Sequence, residues 1–158
     1  MRVLIVSDSH GRHDKLEEAI RRVRPDRLIH CGDILTCQPQ VQAMADCPVH
    51  VVRGNNDLGT DLPYDLVLPL GRHKLYVTHG HREHVGWGLR DLALAAAEHG
   101  CDYAVFGHTH APVMEEVCGV TLINPGSISL PRQPGRNPSF IVCDVDDKGD
   151  LHFTQNCL

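Results

Sequence analysis

Five short apolar runs in this sequence each end on a cluster of groups that can bind a metal or move a proton. "VLIVS" runs into Asp8-Ser9-His10, "RLIHC" into Gly32-Asp33, "VHVVR" into Gly54-Asn55-Asn56-Asp57, "LYVT" into His79-Gly80-His81, and "YAVF" into Gly107-His108-Thr109-His110. Taken singly, these are ordinary turn and cap residues. The Gly-His-x-His stretch says more, because alternate residues of an extended chain share a face and would present two imidazoles together. A turn explanation must account for the five clusters separately, whereas one metal centre accounts for them together. Carboxylate and amide oxygens mixed with imidazoles suit Mn, Fe, Zn or Ni better than Ca or Mg alone.

Asp8, His10, Asp33, Asn55, His79, His108 and His110 make seven candidate ligands, more than the three or four that a single zinc takes from protein. They suffice for two ions if a carboxylate bridges them. Paired ions roughly 3.5–4 Å apart serve in-line hydrolysis of phosphate esters, with a bridging hydroxide as nucleophile and the cations neutralising the developing oxyanion charge.

The elements that must position these groups are legible in the hydrophobic pattern. "RVLIVS" (2–7), "RLIHC" (27–31) and "VHVVR" (49–53) read as buried strands. "DKLEEAIRRV" (14–23) carries Leu16, Ala19, Ile20 and Val23 on one helical face, with Asp14 and Glu17 as a capping box. Residues 39–46 read as a short helix with Pro39 in its first turn. "DLVLPL" (65–70) and "KLYVTH" (74–79) form a predicted hairpin around Gly71. A helix over 86–99 puts Leu89, Leu92, Ala93 and Ala96 on one side and closes at Gly100, ahead of a strand over 102–107. The last third ("VMEEV", "VTLIN", "SFIVCDV", "LHFTQ") is β-type, with turns at Gly119 and Gly149. Alternating βα units followed by antiparallel hairpins predict an α/β sandwich more than a pure doubly wound sheet. In open α/β sheets ligands bind beyond the carboxyl ends of strands, which is where all five clusters fall.

Composition narrows the partners. A chain of 158 residues fits one domain (1–158) with a sizeable core. Its 42% hydrophobic and 22% charged residues are those of a globular protein, and a net charge of −5 offers no basic excess for long nucleic acid or an anionic membrane. The N-terminal apolar run meets Asp8 too soon for a signal segment or a membrane span, so a cytoplasmic location is the default. Seven cysteines, an odd number with no C-x-x-C pair, read as reduced thiols that pack as small hydrophobes.

The ordered set "DSH", "GD", "GNND", "THGH" and "GHTH" over residues 8–110, extended by "NPGSISLPR" at 124–132, resembles the calcineurin-like metallophosphoesterases. The small bacterial single-domain phosphodiesterases of that superfamily are similar over nearly the whole chain. The resemblance implies an α/β fold, a four-layer αββα sandwich of two mixed β-sheets flanked by helices, around a dinuclear centre. Carried over position by position, Asp8, His10 and His110 would hold one ion, Asn55, His79 and His108 the other, and Asp33 would bridge. The cofactors implied are two divalent transition metal ions, Mn²⁺ first, with Fe, Ni or Zn as the other candidates. Asn124 and Ser127 would either shape the site loop or simply turn the chain; His81 would either point into the site or sit in its turn.

Asn56 and Asp57 are the catalytic candidates, and they mark a departure. Many phosphatases of the superfamily have His at the position of Asn56, supported by the Asp that follows, and the small bacterial branch often has Cys. Asn56 can donate a hydrogen bond but cannot shuttle a proton near neutral pH. General acid catalysis is worth roughly 10²–10⁴-fold, so activated diesters should turn over better than monoesters or alkoxide-leaving esters. The leading expectation is therefore a metal-dependent phosphodiesterase acting on a small phosphodiester or nucleotide-like substrate. The competing one is a scaffold for protein partners, since a retromer subunit shares this fold with an incomplete site. A nuclease on long DNA or RNA fits the acidic balance poorly, and a homo-oligomer stays open.

Overall fold

Neighbouring residues of one strand serve different cores, and this alternation sets the layers. In the computed structural model, which describes residues 1–158, β1 (Arg2–Val6) sends Val3 and Ile5 into one apolar cluster and Leu4 and Val6 into another. A one-residue register slip would exchange the two sets. Each fully buried aliphatic side chain contributes about 1.5–3 kcal/mol, so the pairing of this strand is strongly specified.

The first half of the chain adds α1 (His13–Val23), β2 (Arg27–His30), α2 (Gln38–Gln42) and β3 (Val49–Val51). β1, β2 and β3 pair in parallel, and β9 (Ser139–Val145) and β10 (Leu151–Cys157) extend the sheet antiparallel, in the order β10-β9-β1-β2-β3. The second sheet contains β4 (Asp65–Leu70), β5 (His73–Thr78), β6 (Tyr103–Val105), β7 (Pro112–Val117) and β8 (Val120–Pro125), in the order β4-β5-β6-β8-β7. Within it β5, β6 and β8 are parallel, while β4 pairs antiparallel with β5 and β7 with β8. α3 (Arg90–Glu98) crosses between β5 and β6.

Three apolar clusters fill the gaps. Leu16, Ile20 and Val41 of α1 and α2 pack on Leu4, Leu28 and Val51. Val3, Ile5 and Ile29 of the first sheet share a cluster with Leu75, Val105 and Ile123 of the second. Leu92 and Ala96 of α3 cover Ala104 and Leu122 on the far side. The result is the four-layer αββα sandwich of two mixed sheets. All seven cysteines are free thiols, and no helix is long and apolar enough to cross a membrane.

Strand ends fall within one or two residues of the sequence expectation, the ordinary fraying range, but the helices differ more. α1 begins at His13 with Arg12 as its N-cap and no side-chain cap bond, so the Asp14–Glu17 capping box does not form; Asp14 instead lies in the first turn, toward the positive end of the helix. α2 stops at Gln42 and not at 46, because the Gln42 amide bonds the carbonyls of Ala45 and Cys47 and the amide of Val49, drawing the chain out of the helix. α3 starts at Arg90 and not at 86; Gly86 lies in a turn and Gly88 in the irregular segment after it, and two glycines in a first helical turn outweigh the apolar periodicity.

Candidate metal centre

Loops from both sheets meet beyond the carboxyl ends of β1, β2, β3, β5 and β6. Asp8, His10, Asp33 and His110 each offer one ligand atom, and these atoms all lie within 4.8 Å of one another. Beside them, Asn55 Oδ1 lies 3.1 Å from His79 Nε2 and 2.9 Å from His108 Nδ1. Asp33 stands between the groups, its Oδ2 3.7 Å from His10 Nε2 and 3.5 Å from His79 Nε2. The structure thus brings all seven sequence candidates into one constellation.

The backbone holds them at a cost. Asp8, His10, Asp33, His108 and His110 have φ of 54°, 47°, 54°, 69° and 59°, left-handed values that non-glycine residues seldom adopt. Such strain persists only where the surroundings over-determine it, and the surroundings here do. The amide of Asp8 bonds the Gly32 carbonyl at 3.0 Å and that of His10 bonds the Asp33 carbonyl at 2.9 Å, stitching the β1 loop to the β2 loop. Asp57 is buried and its carboxylate accepts the amides of Asp33, Leu35 and Gly54, each at 2.8 Å. It braces the loop that carries Asp33 and not the side chain at 56, the place where the resembling phosphatases have a His supported by this Asp. Two glycines are obligatory by contact: a Cβ on Gly54 would run into the Asp33 carboxylate, and one on Gly107 would run into Ser7 Oγ.

The polar chemistry fits cations. Asp8 Oδ1 is buried and faces His110 Nε2 at 3.1 Å; while that nitrogen carries no proton the oxygen has no donor, a costly condition that a metal or a proton on His110 would relieve. His79 Nδ1 lies 2.7 Å from the Cys31 carbonyl and His110 Nδ1 lies 2.7 Å from the Leu130 carbonyl. A carbonyl only accepts, so each Nδ1 carries the proton and each neutral ring turns its Nε2 lone pair inward, as outer partners of metal-bound histidine do. In His79 that lone pair meets the Asn55 oxygen, an acceptor facing an acceptor. A cation, or a proton on His79, removes the conflict.

Titration follows the same logic. Burial alone would raise the Asp8 carboxyl, but the neighbouring His110 and the charge on His79 overcome it and hold the group below its ordinary range. Asp33 is held well below that range: burial is outweighed by His79 and by the two Asn56 amides, the backbone N–H donating to Oδ1 at 2.8 Å and Nδ2 to Oδ2 at 2.6 Å. Burial would lower His79 and His110, yet Asp33 and Asp8 raise the first and Asp8 raises the second. His10 and His108 are lowered, mainly by burial. Each half of the constellation thus contains one imidazole that favours its proton and one that gives it up.

His81 lies beside the centre, its ring 5.4 Å from that of His79 and 6.2 Å from that of His108, and its Nδ1 is buried without a partner. Asn124 donates to the Gly107 carbonyl at 2.8 Å and to Thr109 Oγ1 at 3.1 Å, while Ser127 Oγ donates to the Asp8 carbonyl at 2.8 Å. Both therefore position ligand loops. Two further residues support the β1 loop, one of them inside the 124–132 stretch. Ser129 Oγ bridges the carbonyls of Asp8 and Ser9 at 3.0 and 2.8 Å. His30, fully buried and pushed down to about 4 by that burial, accepts the Gly32 amide on Nδ1, which leaves Nε2 to donate to Ser9 Oγ at 2.9 Å.

Known proteins share both sequence and shape with this chain. The model of the calcineurin-like phosphoesterase superfamily domain matches residues 1–148. Probable metallophosphoesterase YsnB of Bacillus subtilis is 40% identical over 97% of this chain and 90% of its own. Phosphodiesterase YfcE of Escherichia coli is 30% identical over 92% and 89%. A predicted phosphoesterase from Streptococcus pneumoniae superposes with a TM-score of 0.81 at 26% identity, covering 99% of this chain and 97% of that one. Wild-type Vps29 of Entamoeba histolytica, in complex with Zn²⁺, superposes with a TM-score of 0.75 at 24% identity, with 99% of both chains covered, a likeness of fold.

Proposed function

The chain belongs to the calcineurin-like phosphoesterase superfamily, and from that premise we propose that it is a metal-dependent phosphodiesterase acting on small phosphodiesters through two divalent cations. The observation that carries this reading is the close set of Asp8, His10, Asp33 and His110 donor atoms, one of them a buried carboxylate oxygen with no donor while His110 Nε2 carries no proton, beside the set of Asn55, His79 and His108. Asp8, His10 and His110 would hold one ion, Asn55, His79 and His108 the other, and Asp33 both. Mn²⁺ is the first candidate, followed by Fe, Ni and Zn. When bound, the ions supply an activated water and neutralise charge developing on the phosphoryl oxygens.

The protein's own contribution is orientation. The Cys31 and Leu130 carbonyls fix the imidazole tautomers, and Asp57 locks the loop carrying Asp33. Asn56 holds the Asp33 carboxylate and can donate to a phosphoryl oxygen, yet it cannot protonate a leaving group. Leaving-group quality then limits the rate, which favours activated diesters. A diester preference also agrees with the phosphodiesterase name of the Escherichia coli relative. A protein-binding scaffold is favoured by Asn56, which cannot protonate a leaving group, and by the Vps29 likeness in fold, whereas the full set of coordinating side chains favours catalysis.

The test is turnover of an activated aryl phosphodiester and its matching monoester as Mn²⁺ is added to metal-stripped protein, with Asp33→Asn as control. Metal-dependent turnover that favours the diester and vanishes in the variant is expected. Metal binding with no turnover of either ester would transfer the reading to the scaffold.

A further inference from the structure

On one flank of the constellation two guanidinium groups share a single aromatic ring. The Arg53 guanidinium carbon lies 5.1 Å from the Tyr64 ring centroid and that of Arg82 lies 4.4 Å from it. Arg53 immediately precedes the Gly54-Asn55 loop and Arg82 follows His81, so the two cations arrive from two ligand-bearing loops. The Tyr64 segment is tied to the first loop by a backbone bond, the amide of Arg53 reaching the Pro63 carbonyl at 2.7 Å, and its carbonyl lies 3.4 Å from Thr78 Oγ1, a hydroxyl that also reaches the Glu83 carboxylate at 3.2 Å. His81 connects ring and centre, 6.2 Å from Tyr64 on one side and 5.4 Å from His79 on the other.

These guanidiniums have no internal anion. The arginine ion pairs of the chain run from Arg2, Arg22 and Arg72; Arg53 and Arg82 form none and donate no side-chain hydrogen bond. Stacking on an aromatic face occupies the flat side of a guanidinium and leaves its in-plane N–H fork free, the geometry that suits a phosphate. Two unpaired forks side by side are notable in a chain of net charge −5. Further along the Arg53 loop the surroundings have another character. A cleft of about 350 Å³ beside Asn56 is lined by Leu35, Cys37, Leu58 and Thr60, and the only carboxylate there, Asp57, is already satisfied by three backbone amides.

We propose that Arg53, Tyr64 and Arg82 form a substrate subsite for a second phosphate, so that the preferred substrate is a phosphodiester with a further phosphate on one arm and an uncharged group on the other. This rests on the phosphodiesterase reading of the centre and deepens it. Tyr64, 40% exposed, holds the two forks together while their N–H groups face the ligand. The same flank leaves a diester without the extra charge less firmly held.

The probes are the p-nitrophenyl ester of thymidine 5′-phosphate and the same ester with a 3′-phosphate, which share one leaving group. The intact protein is expected to favour the 3′-phosphorylated ester by about tenfold or more in kcat/KM, within the reach of charge-assisted hydrogen bonds. That ratio should fall to near one in Arg53→Ala/Arg82→Ala and shrink at high salt. Equal turnover of the two esters by the intact protein, or a preference that survives the double variant, would overturn the subsite. Turnover of neither ester would count against the phosphodiesterase reading instead. Calorimetry then judges the subsite independently: thymidine 3′,5′-bisphosphate should bind the intact protein more tightly than thymidine 5′-phosphate and lose that advantage in the double variant, and equal affinities would refute it.

Discussion

Asp8, His10 and His110 on one side of Asp33, and Asn55, His79 and His108 on the other, differ in charge and in access to solvent. The first group contains its own buried carboxylate besides sharing Asp33, and Asp8 and His110 are both buried. The second has only its share of Asp33 and a neutral amide from Asn55, which is exposed. A carboxylate in low dielectric attracts a cation far more strongly than an amide does. Under the proposed two-ion reading, the first half would retain its ion and the second would exchange its own and meet substrate. The unpaired guanidiniums of Arg53 and Arg82 lie on the side of the second half, where extra positive charge near a less anionic ligand set can act on a phosphate.

Removing what the halves share should have the largest effect. Asp33→Asn is expected to lower kcat/KM on an activated diester by at least about 10³-fold, because both ions lose their common anion; loss of one ion only, by metal analysis, would show that Asp33 serves one half. Unshared ligands come next. Asp8→Asn should weaken the tighter of two Mn²⁺ affinities by about 100-fold, while Asn55→Ala should weaken the looser one by nearer tenfold, as titration would read. Equal losses would erase the asymmetry.

Bracing common to both halves should appear as stability. Asp57→Ala strands the amides of Asp33, Leu35 and Gly54, with an expected loss of about 3 kcal/mol in urea unfolding of metal-stripped protein. A change under about 1 kcal/mol would mean water replaces the carboxylate easily.

The proton inventory gives a smaller, graded effect. His79 and His110 are raised, one in each half, so a metal must displace a proton from each once pH falls below those raised values. Apparent affinity at each half should then rise about tenfold per pH unit from pH 5.5 to 6.5 and flatten above the raised values. In metal-stripped protein the same two groups act in the opposite sense, adding stability below the ordinary histidine value that is lost as pH rises through the folded one. A flat affinity profile across that window would show that neither imidazole binds metal. Least of all, Asn56→His should raise monoester turnover a few-fold if leaving-group protonation limits the rate; no change would remove that explanation of the diester preference.

Much of this was legible in the sequence because ligands follow strands. Apolar runs ending in Asp8, Asp33, Asn55, His79 and His108 mark strand ends without knowledge of pairing, whereas the continuous apolar run at residues 3–6 shows a buried strand and not which core each side chain enters. What stayed hidden depends on tertiary proximity. Ser129 and His30 stabilise the β1 loop through partners 120 and 21 residues away, and neither leaves a periodic signal. The Asp14–Glu17 pair matched a capping pattern, but the N-cap of α1 is Arg12, two residues before Asp14. The role of Asp57 was hidden for the same reason: the resemblance ties it to the side chain at 56, whereas the fold turns it onto three backbone amides.

The most direct test of the two-ion centre is anomalous diffraction at the manganese edge from crystals grown with Mn²⁺. The account predicts two peaks per chain, roughly 3.5–4 Å apart, with Asp33 between them and Asn55, His79 and His108 around the weaker one. A single peak, or ions bound away from these seven side chains, would contradict it.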